Sequence, residues 1–106
     1  DNSIIMNIIE TSDGGYFAVG GAMPTDENTW SFPARYAVKL DKNGEIEWEY
    51  RDNYIFSFWV KGEETADGNY VVVGPKSDPS TYNIVKFDKN GNVLWEDTGD
   101  YYEIEN

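Results

Sequence analysis

Short β-branched and aromatic runs alternate along this chain with Asp-Gly and Asn-Gly pairs, and no stretch carries a convincing helical period. Tyr16-Phe17-Ala18-Val19 follows Asp13-Gly14-Gly15, and Tyr70-Val71-Val72-Val73 follows Asp67-Gly68-Asn69. Runs of this kind bounded by turn residues read as strands. Asp-Gly favours a tight hairpin, because a type I′ turn needs positive φ at its central residues. Residues 3–10 and 57–64 are the predicted strands ahead of these turns. Asp41-Lys42-Asn43-Gly44 and Asp88-Lys89-Asn90-Gly91 mark a second pair of hairpins, joining 37–40 to 46–49 and 84–87 to 93–96. Strand alternation then puts Ile46 and Trp48 on one face, and likewise Val93 and Trp95.

The two halves are copies of each other. Residues 10–20 (ETSDGGYFAVG) and 64–74 (ETADGNYVVVG) share 7 of 11 positions, at an offset of 54. Residues 37–49 (AVKLDKNGEIEWE) and 84–96 (IVKFDKNGNVLWE) share 8 of 13, at an offset of 47. The first copy therefore carries seven extra residues within 21–36. Each copy reads as strand, tight turn, strand, longer loop, strand, tight turn, strand. A four-stranded unit at this period is the size of a propeller blade. The expected fold is all-β, with two four-stranded antiparallel β-propeller blades. Repeat 1 spans residues 1–53, and repeat 2 spans 54–106 with the start of a following strand at Asp100-Tyr101-Tyr102. Trp48 and Trp95 are expected to pack between blades, and Gly14, Gly44, Gly68 and Gly91 to shape the turns. Two blades do not close a ring of about four to eight. Their apolar faces need neighbours. The chain is thus expected to be part of a larger propeller, or a unit whose copies associate through blade faces into a ring.

The repeat resembles the propeller-like repeats of bacterial exported and surface proteins. The pattern T-x-D-G-x-Y-x-x-V-G is carried by Thr11, Asp13, Gly14, Tyr16, Val19 and Gly20, and again by Thr65, Asp67, Gly68, Tyr70, Val73 and Gly74. The pattern V-K-x-D-K-N-G-x-x-x-W follows at Val38, Lys39, Asp41, Gly44 and Trp48, and at Val85, Lys86, Asp88, Gly91 and Trp95. Its D-x-x-G-x-x-x-W segment is similar to the tryptophan-docking motif of quinoprotein propellers. In that family the motif locks one blade to the next and does not bring a quinone site. Together with the absence of Cys, the resemblance implies an extracellular or cell-surface setting.

Composition acts mainly by exclusion. Eight Lys and Arg stand against 20 acids, for a formal charge of −12. Phosphate backbones and anionic membranes are bound through cations, so no nucleic-acid partner is expected. Without Cys or His, disulfides, thiolate metal sites and the commonest general base are missing. No run of about 18 apolar residues suggests membrane insertion. The first residue is Asp rather than Met, which points to a processed or excised start.

Chemistry-bearing patterns are sparse. Asp41, Asn43 and Glu45 lack the helices and the 12-residue spacing of a calcium loop, and they explain themselves as a turn. Neighbouring acids at Asp26-Glu27 and Glu63-Glu64 point to opposite sides of a strand, so neither pair suits glycoside hydrolysis. No catalytic residue, metal or cofactor is assigned. The longer loops, 21–36 and 75–83, share one end of the sheets with the connections between copies, and they differ between copies. Aromatics there suit ring stacking on sugars. Trp30, Phe32, Tyr36, Tyr54, Tyr82 and Tyr101 are the candidate ligand-binding residues. Trp30 leads, because it lies in the insertion. The expected function is a non-catalytic binding or interaction module for a glycan or protein. A structural, self-assembling scaffold is the alternative, and a piece of a quinoprotein-like enzyme comes third.

Overall fold

The computed structural model describes residues 3–22, 34–51, 58–75 and 81–100. Among these residues the regular elements are eight strands: β1 (Ser3–Glu10), β2 (Tyr16–Ala22), β3 (Ala34–Leu40), β4 (Ile46–Arg51), β5 (Lys61–Glu64), β6 (Tyr70–Pro75), β7 (Thr81–Phe87) and β8 (Val93–Asp100). They form two antiparallel four-stranded meanders, β1-β2-β3-β4 and β5-β6-β7-β8. The all-β class and the four strands per copy are as the repeat predicts. No closed sheet forms among the described residues.

The hairpins are built differently from the predicted type I′ turn. The Gly14 amide donates to the Thr11 carbonyl, so Ser12 and Asp13 are the central residues, not Asp13 and Gly14. Gly44, Gly68 and Gly91 repeat the bond to Asp41, Thr65 and Asp88. The positive φ falls on that fourth residue, at 84 to 89°. This is the longer hairpin loop, a turn followed by a left-handed glycine. The third side chain of the T-x-D-G turn, Asp13 or Asp67, and the first of the D-K-N-G turn, Asp41 or Asp88, accept backbone amides within the loop. The two motifs are therefore one turn written in two ways.

Bulges correct two further expectations. Leu40 pairs with Ile46 but Lys39 pairs with Trp48, so Glu47 is the extra residue. Directly paired residues share a face. Ile46 therefore lies with Leu40 and Trp48 with Lys39, on opposite faces. Val93 and Trp95 are separated by the same irregularity. In the first strand the bulge falls between Ile5 and Asn7. The predicted strand over 57–64 is regular only as β5. Ahead of it the Trp59 amide leaves its own sheet and donates to the Gly20 carbonyl of the other. Strands β3 and β7 also start earlier than predicted, so Tyr36 and Tyr82 lie in strands rather than loops.

Each sheet has a face bearing Tyr16 or Tyr70 and a face bearing Trp48 or Trp95. These are called the tyrosine face and the tryptophan face. The tryptophan face of the first sheet packs on the tyrosine face of the second. Phe17, Val19 and Ala37 meet Trp59, Tyr70, Val72, Val85 and Phe87 in one buried cluster, with Ile9, Trp48 and Tyr50 at its margin. Burying an aromatic side chain of this kind contributes about 1.5–3 kcal/mol. The backbones come closest where β5 lies against β1 and β2. Gly62 sits at that approach, where a Cβ would come within 2.8 Å of the Phe17 ring. Aromatics fill the rest: Phe17 stacks on Tyr70 at 4.6 Å, and Tyr50 meets Phe87 edge-on at 5.0 Å.

Candidate functional site

Of the predicted ligand-binding aromatics, Tyr36 and Tyr82 lie among the described residues. Both are buried. The Tyr36 hydroxyl donates to Glu49 at 2.7 Å, and the Arg51 guanidinium lies 5.5 Å from its ring. The Tyr82 ring lies against Gly99. Trp30, Phe32, Tyr54 and Tyr101 lie outside the described residues, as do Met23, Asp26, Glu27, Phe56 and Tyr102. No group of three or more potential metal ligands occurs among the described residues. Among the described residues, no helix is long and apolar enough to cross a membrane.

The developed chemistry lies instead between the sheets. Arg35, on β3, is buried. It donates to Asn83 and, at 2.8 Å, to Glu96, and its guanidinium lies 5.0 Å from the Trp59 ring. Asn83 donates to Glu96 at 2.7 Å and accepts the Trp59 indole N–H at 3.1 Å. A buried cation needs this degree of pairing, and the network fixes how the second sheet sits on the first. The internal repeat does not mark Arg35, Asn83 and Trp59, because none is repeated: the matching positions hold Tyr82, Tyr36 and Ile5. Their residue types were the available signal, since a lone Arg and Asn in otherwise apolar strands need partners.

At the turn end the same interface covers a second polar cluster, whose bonds lie within the first sheet. Lys39 is 1% exposed and bonds Asp13, Glu47 and the Leu40 carbonyl. Burial lowers the affinity of its ammonium for a proton, but the two carboxylates outweigh that and hold its pKa above 10.5. Asp13 is pulled from 3.8 to about 2 by the Thr11 hydroxyl, the Gly15 amide and Lys39. Burial pushes the Tyr70 phenol up. The equivalent Lys86 bonds Asp67 but is 20% exposed. Across the interface Ser12 donates to Glu64 through both amide and hydroxyl, at 2.7 and 2.6 Å.

Trp48 shows what its motif does. Its indole N–H donates to the Lys89 carbonyl at 2.9 Å, in the turn of the next sheet. Its ring covers Gly91 so closely that a Cβ there would lie 2.7 Å away, and it touches Tyr70 and Phe87. Trp95, the matching residue, is 48% exposed. Tyr16 is 37% exposed where Tyr70 is 3%. Nothing lies within 4 Å of where a Gly44 Cβ would stand. The indole and its socket are thus both present a second time, at opposite ends of the stack. No protein-family model matches this chain, and a search of curated proteins finds no match.

Proposed function

We propose that this chain is a non-catalytic interaction module of the propeller-blade type, and that its contact surfaces are sheet faces. One observation carries this reading. The two sheets meet through unlike faces, tryptophan on tyrosine, so each end of the pair keeps the face that its other sheet has already used. An interface of unlike faces propagates, as a ring if its rotation closes and as an open stack if not. The repeat motif supports the same reading, since Trp48 works here as a lock between successive sheets. The resemblance of the repeat supports an exported, cell-surface setting. The two described members of the loop set, Tyr36 and Tyr82, are interior, so the emphasis moves from loops to faces. A glycan or protein partner at the loop end would depend on Trp30, Phe32, Tyr54 and Tyr101.

Light scattering across a dilution series tests this proposal. Association into multiples of the 12.1 kDa chain is expected. A mass fixed at 12.1 kDa at every concentration, with no other binder captured through the faces, would refute it.

A further inference from the structure

Four features of the exposed faces stand beside one another. Trp95 and Leu94 are exposed at one end of the pair, and Ile5, Ile8, Tyr16 and Ile46 at the other. Large exposed apolar areas mark contact sites. The tryptophan face of the second sheet also holds a groove of about 240 Å³ along Lys61, Glu63, Val71, Val73 and Ile84. On the first sheet the matching places, Phe17 and Val19 among them, are buried under the second. The residues on the two open faces also exchange size. Within the chain a large Phe17 faces Gly62, which has no side chain to give. At the matching open positions stand Val71 and Ile8, a smaller residue on one face and a larger one on the other.

We infer that the tryptophan face of the second sheet docks onto the tyrosine face of the first sheet in a second copy of this chain, with Trp95 seated against Tyr16, Leu40 and the Gly44 turn. This rests on the interaction-module reading and names its partner. The contact copies the one seen inside the chain. Trp95 takes the place of Trp48, and Tyr16, Leu40 and Gly44 take the places of Tyr70, Phe87 and Gly91. The indole N–H of Trp95 then meets the Lys42 carbonyl, as that of Trp48 meets Lys89. Ile8 enters the groove at Val71. Ala18, Tyr36 and Val38, farther along the tyrosine face, are already buried, so the new contact is centred at the turn end. It lacks the Arg35 anchor, because Tyr82 and Tyr36 stand where Arg35 and Asn83 stand within the chain. Copies therefore hold one another more weakly than the two sheets of one chain do.

Mixing two singly blocked variants tests this. Trp95→Ala keeps only the tyrosine face, and Tyr16→Glu keeps only the tryptophan face. Each alone is expected to stay at 12.1 kDa under conditions where the unaltered chain associates. Their mixture is expected to form pairs of twice that mass and nothing larger. Association of Trp95→Ala alone as readily as the unaltered chain would overturn the inference. So would a mixture of folded variants that stays unpaired while the unaltered chain assembles, and the interaction-module reading would then survive. An unaltered chain that never associates would overturn both.

Cross-linking gives a second measurement that does not depend on how Tyr16→Glu folds. The chain has no cysteine, and Ala66 and Glu10 match Ser12 and Glu64, which touch across the internal interface. A mixture of Ala66→Cys and Glu10→Cys chains should cross-link to each other in preference to themselves. Cross-linking only between like chains would overturn the proposed orientation.

Discussion

Trp48 and Trp95 close the same motif in two nearly identical stretches of chain, yet one is locked against a neighbouring sheet and the other is half exposed. The same division runs through Lys39 and Lys86, and through Tyr70 and Tyr16. In each pair the residue is repeated and its environment is not. The motif tryptophan and tyrosine are therefore not what holds a single sheet together, because both sheets form whether or not these two side chains are covered. They prepare a face for whatever comes next in the stack. What distinguishes the two sheets is position: among the described residues, each has a neighbouring sheet on one side only.

Truncating matched residues sharpens that contrast most. Phe17→Ala removes a ring that is 1% exposed and stacked on Tyr70. It should cost about 3–5 kcal/mol. Val71→Ala, at the matching but uncovered place, should cost about 1 kcal/mol or less. Urea unfolding of dilute protein reads both, and equal losses would break the comparison. A second test addresses the exchange of size between Phe17 and Gly62. Gly62→Ala should destabilise by about 1–3 kcal/mol through overpacking. Adding Phe17→Val should remove most of that cost, since the ring it strikes is gone and the Val19 methyl, 3.0 Å from the new Cβ, is the close neighbour left. The double-mutant cycle measures this as a coupling between the two sites. Simple additivity would show that the close approach at β5 is not the constraint on Gly62.

How far the fold can be read from sequence follows the same division between repeated and unrepeated residues. Asp13-Gly14 and Asn43-Gly44, each followed by an alternating run, announce two hairpins per copy, and their recurrence announces two equivalent sheets. The turn type differs from the expected one because Asp-Gly suggests a two-residue loop, whereas the left-handed glycine here comes fourth. The bulge at Glu47 was invisible, since alternation continues on paper through an extra residue that the sheet skips. That single residue moves Ile46 and Trp48 to opposite faces, and so decides which apolar side chains face the neighbour. Arg35, Asn83, Trp59 and Gly62 were missed for a different reason. They serve an interface that exists once in the chain, and a search for internal similarity discards what occurs once. Tyr36 and Tyr82 looked like loop aromatics because neither lies in a matched block, but both continue strands that start earlier than the matched blocks do.

The smallest expected effect concerns acid. Asp13 has its pKa drawn down from 3.8 to about 2 by the Thr11 hydroxyl, the Gly15 amide and Lys39. A carboxylate depressed on folding binds protons less readily in the folded chain than in the unfolded one. Its contribution is therefore complete above the unfolded value near 3.8 and disappears as the pH falls towards 2. Lys39 stays charged throughout that window, because its own pKa lies above 10.5. Asp13→Asn keeps an acceptor for the Gly15 amide but removes the charge. It should be less stable than the unaltered chain at neutral pH. The difference should shrink through the acid range and be small by pH 2. Since the Asp13 side chain is 55% exposed, water screens the pair and the neutral-pH difference should stay below about 1 kcal/mol. Asp67 is also lowered, by Thr65 first and then by Lys86. Because Lys86 is not covered by a second sheet, the Asp67→Asn difference should fade more readily with added salt than that of Asp13→Asn. Equal salt sensitivity in dilute solution would mean that covering Lys39 adds nothing to its pairing, and the contrast between the copies would then be one of packing alone.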